Sequence, residues 1–290
     1  MKETTGDFGY SADAIIPKDS PEDHNGMSSQ KLLHNIKGII FDFDGTLFDN
    51  TRLPLRLIAA FPPDIFRLWK ERLIRKRFAG TDFSTTEDYY KAFFKALGKA
   101  CHRSPERIKN WYFKRYMPRM IHVLEKYYSP RQGVAELFRR LDIPEKASKD
   151  TPQKKLRVAV YSDYPSLKER LEALDLYPGK RVLLYGPESF GAQKPATRPF
   201  CSIADELGII PEEVLVVGDR EETDGLGAFR SGMRFFCLKT GHKRYFRLDP
   251  NRQPPKKEQP HGPSLIMYAG TWEDLIQSLK DKYAPNLAPG

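Results

Sequence analysis

Cysteine is scarce: three residues in 290, Cys101, Cys201 and Cys237, all far apart in the chain. That excludes a disulfide framework and a cysteine-rich zinc site, and predicts reduced thiols and a cytoplasmic protein. The six histidines are scattered, with no metal-ligand spacing. No apolar run approaches the roughly 18 residues of a membrane span. The opening segment MKETTGDFGYSADAIIPKDS has no apolar h-region, so a secretory signal is not expected. No internal repeat is visible. The remaining composition is that of a globular chain: 40% hydrophobic, 12% aromatic and 30% charged. A chain of this length buries a core without staples and suits one large domain, or a domain plus an insertion.

The net charge of +10 is unevenly spread. Between Thr51 and Tyr128 there are 18 Lys and Arg against 7 Asp and Glu, so this segment carries the whole excess. A basic segment attracts phosphorylated ligands, nucleic acid or an anionic membrane. Its ordinary meaning is a solvated helix face, here Arg52, Arg56, Arg67, Lys70, Arg72, Arg75, Lys76 and Arg77. The interleaved aromatics Trp69, Phe93, Phe94, Trp111 and Phe113 are expected to form the segment's own core in preference to a base-stacking platform.

Residues 1–36 are polar and read as a tail. Lys37 to Thr46, KGIIFDFDGT, is an apolar run ending in carboxylates and glycine, a buried strand entering a loop. Helical spacing follows in Ile58–Phe78, Asp88–Ala100 and Pro105–Tyr127, with Ser104 an N-cap before proline. After Tyr128 helices and strands alternate. Helices are expected over Gly133–Leu141, Ser166–Leu174, Pro199–Leu207, Gly225–Ser231 and Thr271–Leu279. Strands are expected over Leu156–Tyr161, Val182–Tyr185, Val214–Val217, Phe235–Leu238 and Ser264–Tyr268. Residues 144–155 read as a charged linker and 249–264, with five prolines, as a loop. The alternation predicts a doubly wound, Rossmann-like parallel α/β sheet. Residues 37–50 and 129–290 would form this core, with 51–128 an inserted helical cap.

Ligands bind at the carboxyl ends of the strands in such a sheet. The residues that follow the strands are Asp42, Asp44, Gly45 and Thr46; Ser162 and Asp163; Lys194 and Pro195; Asp219 and Asp224. Carboxylates converging on one edge repel one another unless a cation compensates. Oxygen ligands favour a hard cation such as Mg²⁺. A lysine and a hydroxyl beside them suggest phosphate as the other ligand. Asp163 is left open between the site and a turn or cap role before Pro165. Gly225 and Gly227 are not a dinucleotide fingerprint, because the next glycine, Gly232, lies too far on.

The segment Phe41-Asp-Phe-Asp-Gly-Thr-Leu47 resembles the DxDGT signature of the haloacid dehalogenase-like superfamily. Val158–Ser162, Lys194-Pro195 and Val216 through Asp224, in the GDxxxxD form, are similar to its three further motifs, in family order. The helical insertion after the first motif matches the family's cap position. The resemblance implies an aspartyl-phosphate on Asp42, with Asp44 as acid and then base. It implies Mg²⁺, with Mn²⁺ an alternative, held by the Asp42, Asp219 and Asp224 carboxylates and the Asp44 carbonyl. Ser162 and the Gly45 and Thr46 amides would bind phosphate oxygens, and Lys194 would balance charge. Asp44 favours the phosphatase branch over dehalogenases, which attack carbon without an acid there. The expected substrate is a small phosphorylated metabolite. The alternatives are a phosphomutase, or a non-catalytic protein that binds nucleic acid or an anionic membrane through the basic cap. Oligomeric state is left open.

Overall fold

The run Gly38–Asp42 has no polar residue before its last, so a strand made from it needs cover on both faces. In the computed structural model, which describes residues 33–142, 156–238 and 267–283, it is the central strand β1 of a six-stranded sheet. The other strands are β2 (Arg157–Tyr161), β3 (Val182–Tyr185), β4 (Val214–Gly218), β5 (Arg234–Leu238) and β6 (Met267–Gly270). Their order is β3-β2-β1-β4-β5-β6, and every pairing is parallel. This is the doubly wound, Rossmann-like α/β fold, with its switch point between β1 and β4.

Side chains alternate across the sheet, as strand geometry requires. Ile39, Phe41, Val158, Val160, Leu215 and Val217 point to one face. There they meet α6 (Val134–Asp142), α7 (Leu167–Glu172) and α11 (Trp272–Tyr283) through Phe138, Leu171 and Leu275. Ile40, Ala159, Val216 and Phe235 point to the other face, against α9 (Thr197–Leu207) and α10 (Leu226–Arg230). Thr271 caps α11 as expected. Its hydroxyl accepts from the Asp274 amide at 3.2 Å, and its own amide donates to the Asp274 carboxylate at 2.7 Å.

Between β1 and α6 lie α1 (Leu53–Ala60), α2 (Ile65–Phe78), α3 (Thr86–Cys101), α4 (Pro105–Trp111) and α5 (Met117–Tyr127). Pro62–Asp64 forms one tight turn before α2, and a wide π-type turn over Tyr112–Tyr116 joins α4 to α5. Ser104 caps α4 by accepting from the Arg107 amide at 3.4 Å. These helices share their own aromatic core, including Phe61, Tyr89, Phe93, Phe94, Trp111 and Tyr112. Phe113 packs half-buried against Phe94.

Two expectations for this segment are corrected. Trp69 is 53% exposed and outside the core. The buried stripe of α2 runs through Glu71, Ile74 and Arg75, and Trp69 lies roughly 200° round the helix from Glu71. It packs on Phe66 instead, with the Lys70 ammonium 4.6 Å from its ring centroid. Arg75 is not on the solvated face. It is buried, because Glu71 one turn earlier and the Tyr112 hydroxyl, at 2.8 Å, satisfy its guanidinium. Arg52, Arg72, Lys76 and Arg77 are exposed, while Arg56, Arg67 and Lys70 are half-buried.

The end of the expected tail is packed, with Leu33 and Ile36 in the sheet's core. Residues 1–32, the charged linker 144–155 and the loop 249–264 lie outside the described residues, as do the first residues of the expected last strand. All three cysteines are unpaired thiols. Among the described residues, no helix is long and apolar enough to cross a membrane.

The insertion is also hydrogen-bonded to the loop after β3. Gly80 N donates to Lys194 O at 3.1 Å and Phe83 N to Gly191 O at 3.1 Å, and Asp82 pairs with Arg198. This contact turns on Gly191, which follows the short helix α8 (Pro187–Phe190) with φ +63°. A Cβ there would be strained and would also collide with the Thr85 backbone. Gly191→Ala is therefore expected to lower unfolding stability by more than ~1 kcal/mol in denaturant titration. An unchanged midpoint would show that this contact reshapes freely.

Candidate active site

The carboxyl end of β1 delivers Asp42 to the sheet edge, and a tight turn follows. Thr46 N and Leu47 N both donate to Phe43 O, at 3.4 and 3.1 Å. Gly45 takes φ +92°, and a side chain at this position would strike the Asp219 carboxylate and the Asn50 amide. The glycine thus allows β1 and β4 loops to approach. Thr46 is buried, and its hydroxyl donates to Asp42 Oδ2 at 3.1 Å.

Asp42 Oδ1 accepts from Lys194 Nζ at 2.6 Å. The same ammonium donates to Asp224 Oδ1 at 2.8 Å. Lys194 is only 2% exposed, so it cannot be a surface lysine. Burial works against its charge, but the neighbouring Asp224, Asp42 and Asp163 outweigh that and hold its pKa above the ordinary lysine value. Asp224 is brought back toward β4 by a π-type turn over Glu221–Gly225. Burial pushes its carboxyl up to about 7; Lys194 opposes that shift, and Asp42 adds to it.

Asp42, Asp219 and Asp224 each present one carboxylate oxygen, and these lie within 4.8 Å of one another. Asp224 Oδ2 is buried and accepts no hydrogen bond. Three hard oxygen donors and an uncompensated buried acceptor fit a hard divalent cation such as Mg²⁺ or Mn²⁺.

Asp44 and Ser162 form a second group. The Ser162 hydroxyl donates to Asp44 Oδ2 at 3.3 Å, and accepts from the Tyr164 amide at 3.1 Å and from Arg170 at 2.9 Å. Arg170 also pairs with Asp44 Oδ1. Asp163 joins its own loop to the Lys194 loop, the Arg220 loop and the helix α2. Its Oδ1 accepts from the Lys194 amide at 3.0 Å, its Oδ2 faces Arg220 at 3.4 Å, and its carbonyl accepts from Arg75 at 2.6 Å.

A haloacid dehalogenase-like hydrolase family model matches residues 36–232. The chain belongs to that family. No curated protein sequence matches it. Among solved structures, YfnB of Bacillus subtilis, described as a HAD-hydrolase bound to magnesium, superposes with a TM-score of 0.51 at 16% identity, over 84% of this chain and 99% of its own. A protein described as a β-phosphoglucomutase, from Thermotoga maritima, gives 0.49 at 18%, over 85% and 99%. A 2-haloacid dehalogenase from Pseudomonas syringae pv. Tomato gives 0.47 at 20%, over 76% and 92%.

All eight residues singled out in this haloacid dehalogenase-like hydrolase lie at the carboxyl edge of the sheet. They fall into two groups: Asp42, Thr46, Lys194, Asp219 and Asp224, with Gly45 between strands, and the pair Asp44 and Ser162. Sequence reasoning missed Arg170 and Arg131. Arg131 fixes the first loop by donating to Gly45 O at 3.2 Å and Thr46 O at 3.0 Å. Neither arginine stands beside a motif, so no spacing pointed to them.

Asp219→Asn is expected to weaken Mn²⁺ binding, followed by calorimetry, by at least the ~10-fold that loss of a supporting contact brings. Unchanged affinity would remove Asp219 from the ligand set.

Proposed function

We propose that the protein is a metal-dependent phosphatase that hydrolyses a small phosphomonoester through an aspartyl-phosphate on Asp42. The observation that carries this reading is Asp44. It lies two residues beyond Asp42, tied to Ser162 at the edge of the site, with its side chain partly open to solvent. Displacement of halide from carbon needs no acid at that place; expulsion of an ester oxygen from phosphorus does.

An oxygen of the Asp42 carboxylate attacks phosphorus, and the ester P–O bond breaks. The leaving oxygen takes the proton of Asp44. The Asp44 carboxylate then takes a proton from water, whose oxygen attacks phosphorus. The bond from phosphorus to Asp42 breaks, releasing inorganic phosphate and restoring both residues. Lys194 balances charge on Asp42 and the phosphoryl group. The Gly45 amide and Ser162 bind phosphoryl oxygens, the Ser162 hydroxyl turning from Asp44 to do so, while the Thr46 amide holds the turn through Phe43 O. Asp42, Asp219, Asp224 and the Asp44 carbonyl would hold the metal. When bound, Mg²⁺ or Mn²⁺ neutralises these carboxylates and the phosphoryl oxygens.

The helices over 51–128 act as a cap. Arg75 on the Asp163 carbonyl and Gly80 on the Lys194 carbonyl place this segment over two motif loops. The interdomain movement described for YfnB accords with a cap that opens. Closure would exclude water other than the attacking molecule. The cap's exposed cations, Arg52, Arg72, Lys76 and Arg77, favour an anionic substrate. The same surface would serve nucleic acid or a lipid headgroup in a non-catalytic protein, which would have no use for Asp44.

Hydrolysis of an aryl phosphate should require divalent metal and disappear in Asp42→Asn. Turnover that survives both chelation and this substitution would overturn the reading. Dependence on a bisphosphate activator would identify a phosphomutase instead. A disulfide joining Asp82→Cys to Ala192→Cys, which are antiparallel bridge partners, should reduce turnover until reductant is added. Equal rates in both redox states would show that the cap does not open at this contact.

A further inference from the structure

Arg170 is a charged side chain with no access to solvent: its exposure is 0%. A guanidinium there needs a partner for its charge; its Nε makes no hydrogen bond, and the two terminal nitrogens carry the contacts. It lies on α7, eight residues after Ser162, and points back to the sheet edge. One terminal nitrogen donates to Ser162 Oγ at 2.9 Å. The other pairs with Asp44 Oδ1. Ser162 donates in turn to Asp44 Oδ2 at 3.3 Å, so both oxygens of Asp44 are tied. The guanidinium carbon lies over two rings, 4.4 Å from the Phe43 centroid and 5.4 Å from that of Tyr164. Phe43 is the residue between Asp42 and Asp44. The same cation therefore grips the loop of the first motif by its ring and by its second carboxylate.

We infer that Arg170 is a positioning residue for Asp44, fixing the direction of its carboxyl so that proton transfer to the leaving oxygen is aligned. The inference rests on the phosphatase reading above. Arg170 cannot touch substrate, because no part of it reaches the surface of the site. Its effect passes through Asp44. When Ser162 turns to a phosphoryl oxygen, Arg170 is the tie that keeps Asp44 in place. Lysine preserves the charge but not the planar fork, so it holds Asp44 and Ser162 in poorer alignment.

The test compares kcat/KM for p-nitrophenyl phosphate and for an alkyl phosphate in the wild type, Arg170→Lys, Arg170→Met and Asp44→Asn. This ratio runs to the first irreversible step, loss of the leaving group. The aryl leaving group departs with little help from an acid; the alkyl group needs the proton. Arg170→Met should lower the alkyl value at least about tenfold more than the aryl value, with Arg170→Lys between it and the wild type. A further Arg170→Met change in the Asp44→Asn background should then add no loss for the alkyl ester. Equal losses for both esters, or losses that multiply in the double variant, would assign Arg170 a purely structural role and overturn the inference. Should Arg170→Met fail to fold, Arg170→Lys alone and combined with Asp44→Asn decides by the same two criteria. A wild type inactive on both esters would overturn the phosphatase reading, and the inference with it.

Discussion

A buried lysine held between two aspartates is the contact on which this site depends. Asp42, Asp219 and Asp224 arrive from the ends of two neighbouring parallel strands at one sheet edge. Lys194 enters from a third segment and spans Asp42 and Asp224. Without it the edge would hold like charges in a poorly hydrated space, and one carboxyl would have to take up a proton. Asp224 already leans that way, its pKa pushed to about 7 by burial. The three carboxylates thus keep capacity for one more cation, and a divalent ion is the natural complement. The candidate metal site and the setting of the proposed nucleophile answer to one electrostatic constraint.

That constraint extends outward through Asp163. Its carboxylate receives the Lys194 amide and faces Arg220 beside Asp219, while its carbonyl receives Arg75 from the inserted helices. Arg75 is neutralised within its own helix by Glu71, so its reach across to the sheet does not leave a bare charge. The motif loops and the insertion are linked by hydrogen bonds between main-chain and charged groups, in addition to apolar contact. Such links are directional and fix how the insertion meets the motif loops. They also tie the geometry at Lys194 to the placement of the insertion.

Much of this was legible beforehand. The strand over Gly38–Asp42 is a short apolar run, the helix over Thr86–Cys101 has a clear stripe, and Ser104 and Thr271 stand where caps must stand. The four motif segments are local in sequence, and their chemistry is carried by residue type and spacing. What failed to show were arrangements made by partners distant in the chain. Trp69 has the composition of a core residue, yet the turn at Pro62-Pro63 sets the phase of its helix, and that phase directs it outward. Arg75 sits in a run of cations that reads as solvated, yet it alone of that run falls on the buried stripe one turn after a glutamate.

The order of strands followed the same division. Alternating strands and helices determined a parallel sheet, since each strand is apolar on both faces and needs two layers of cover. That β1 lies at the centre, between β2 and β4, was decided by packing, and it is this placement that brings Asp42 beside Asp219. The sequence by itself determined which residues are candidates for the chemistry, because each motif is a few consecutive residues whose types suit it. Only the tertiary structure decided that Lys194 is shared by two aspartates and that Asp44 is held by Ser162 and Arg170. Those pairings join segments some thirty to one hundred and fifty positions apart, and nothing in local spacing encodes which distant groups will meet.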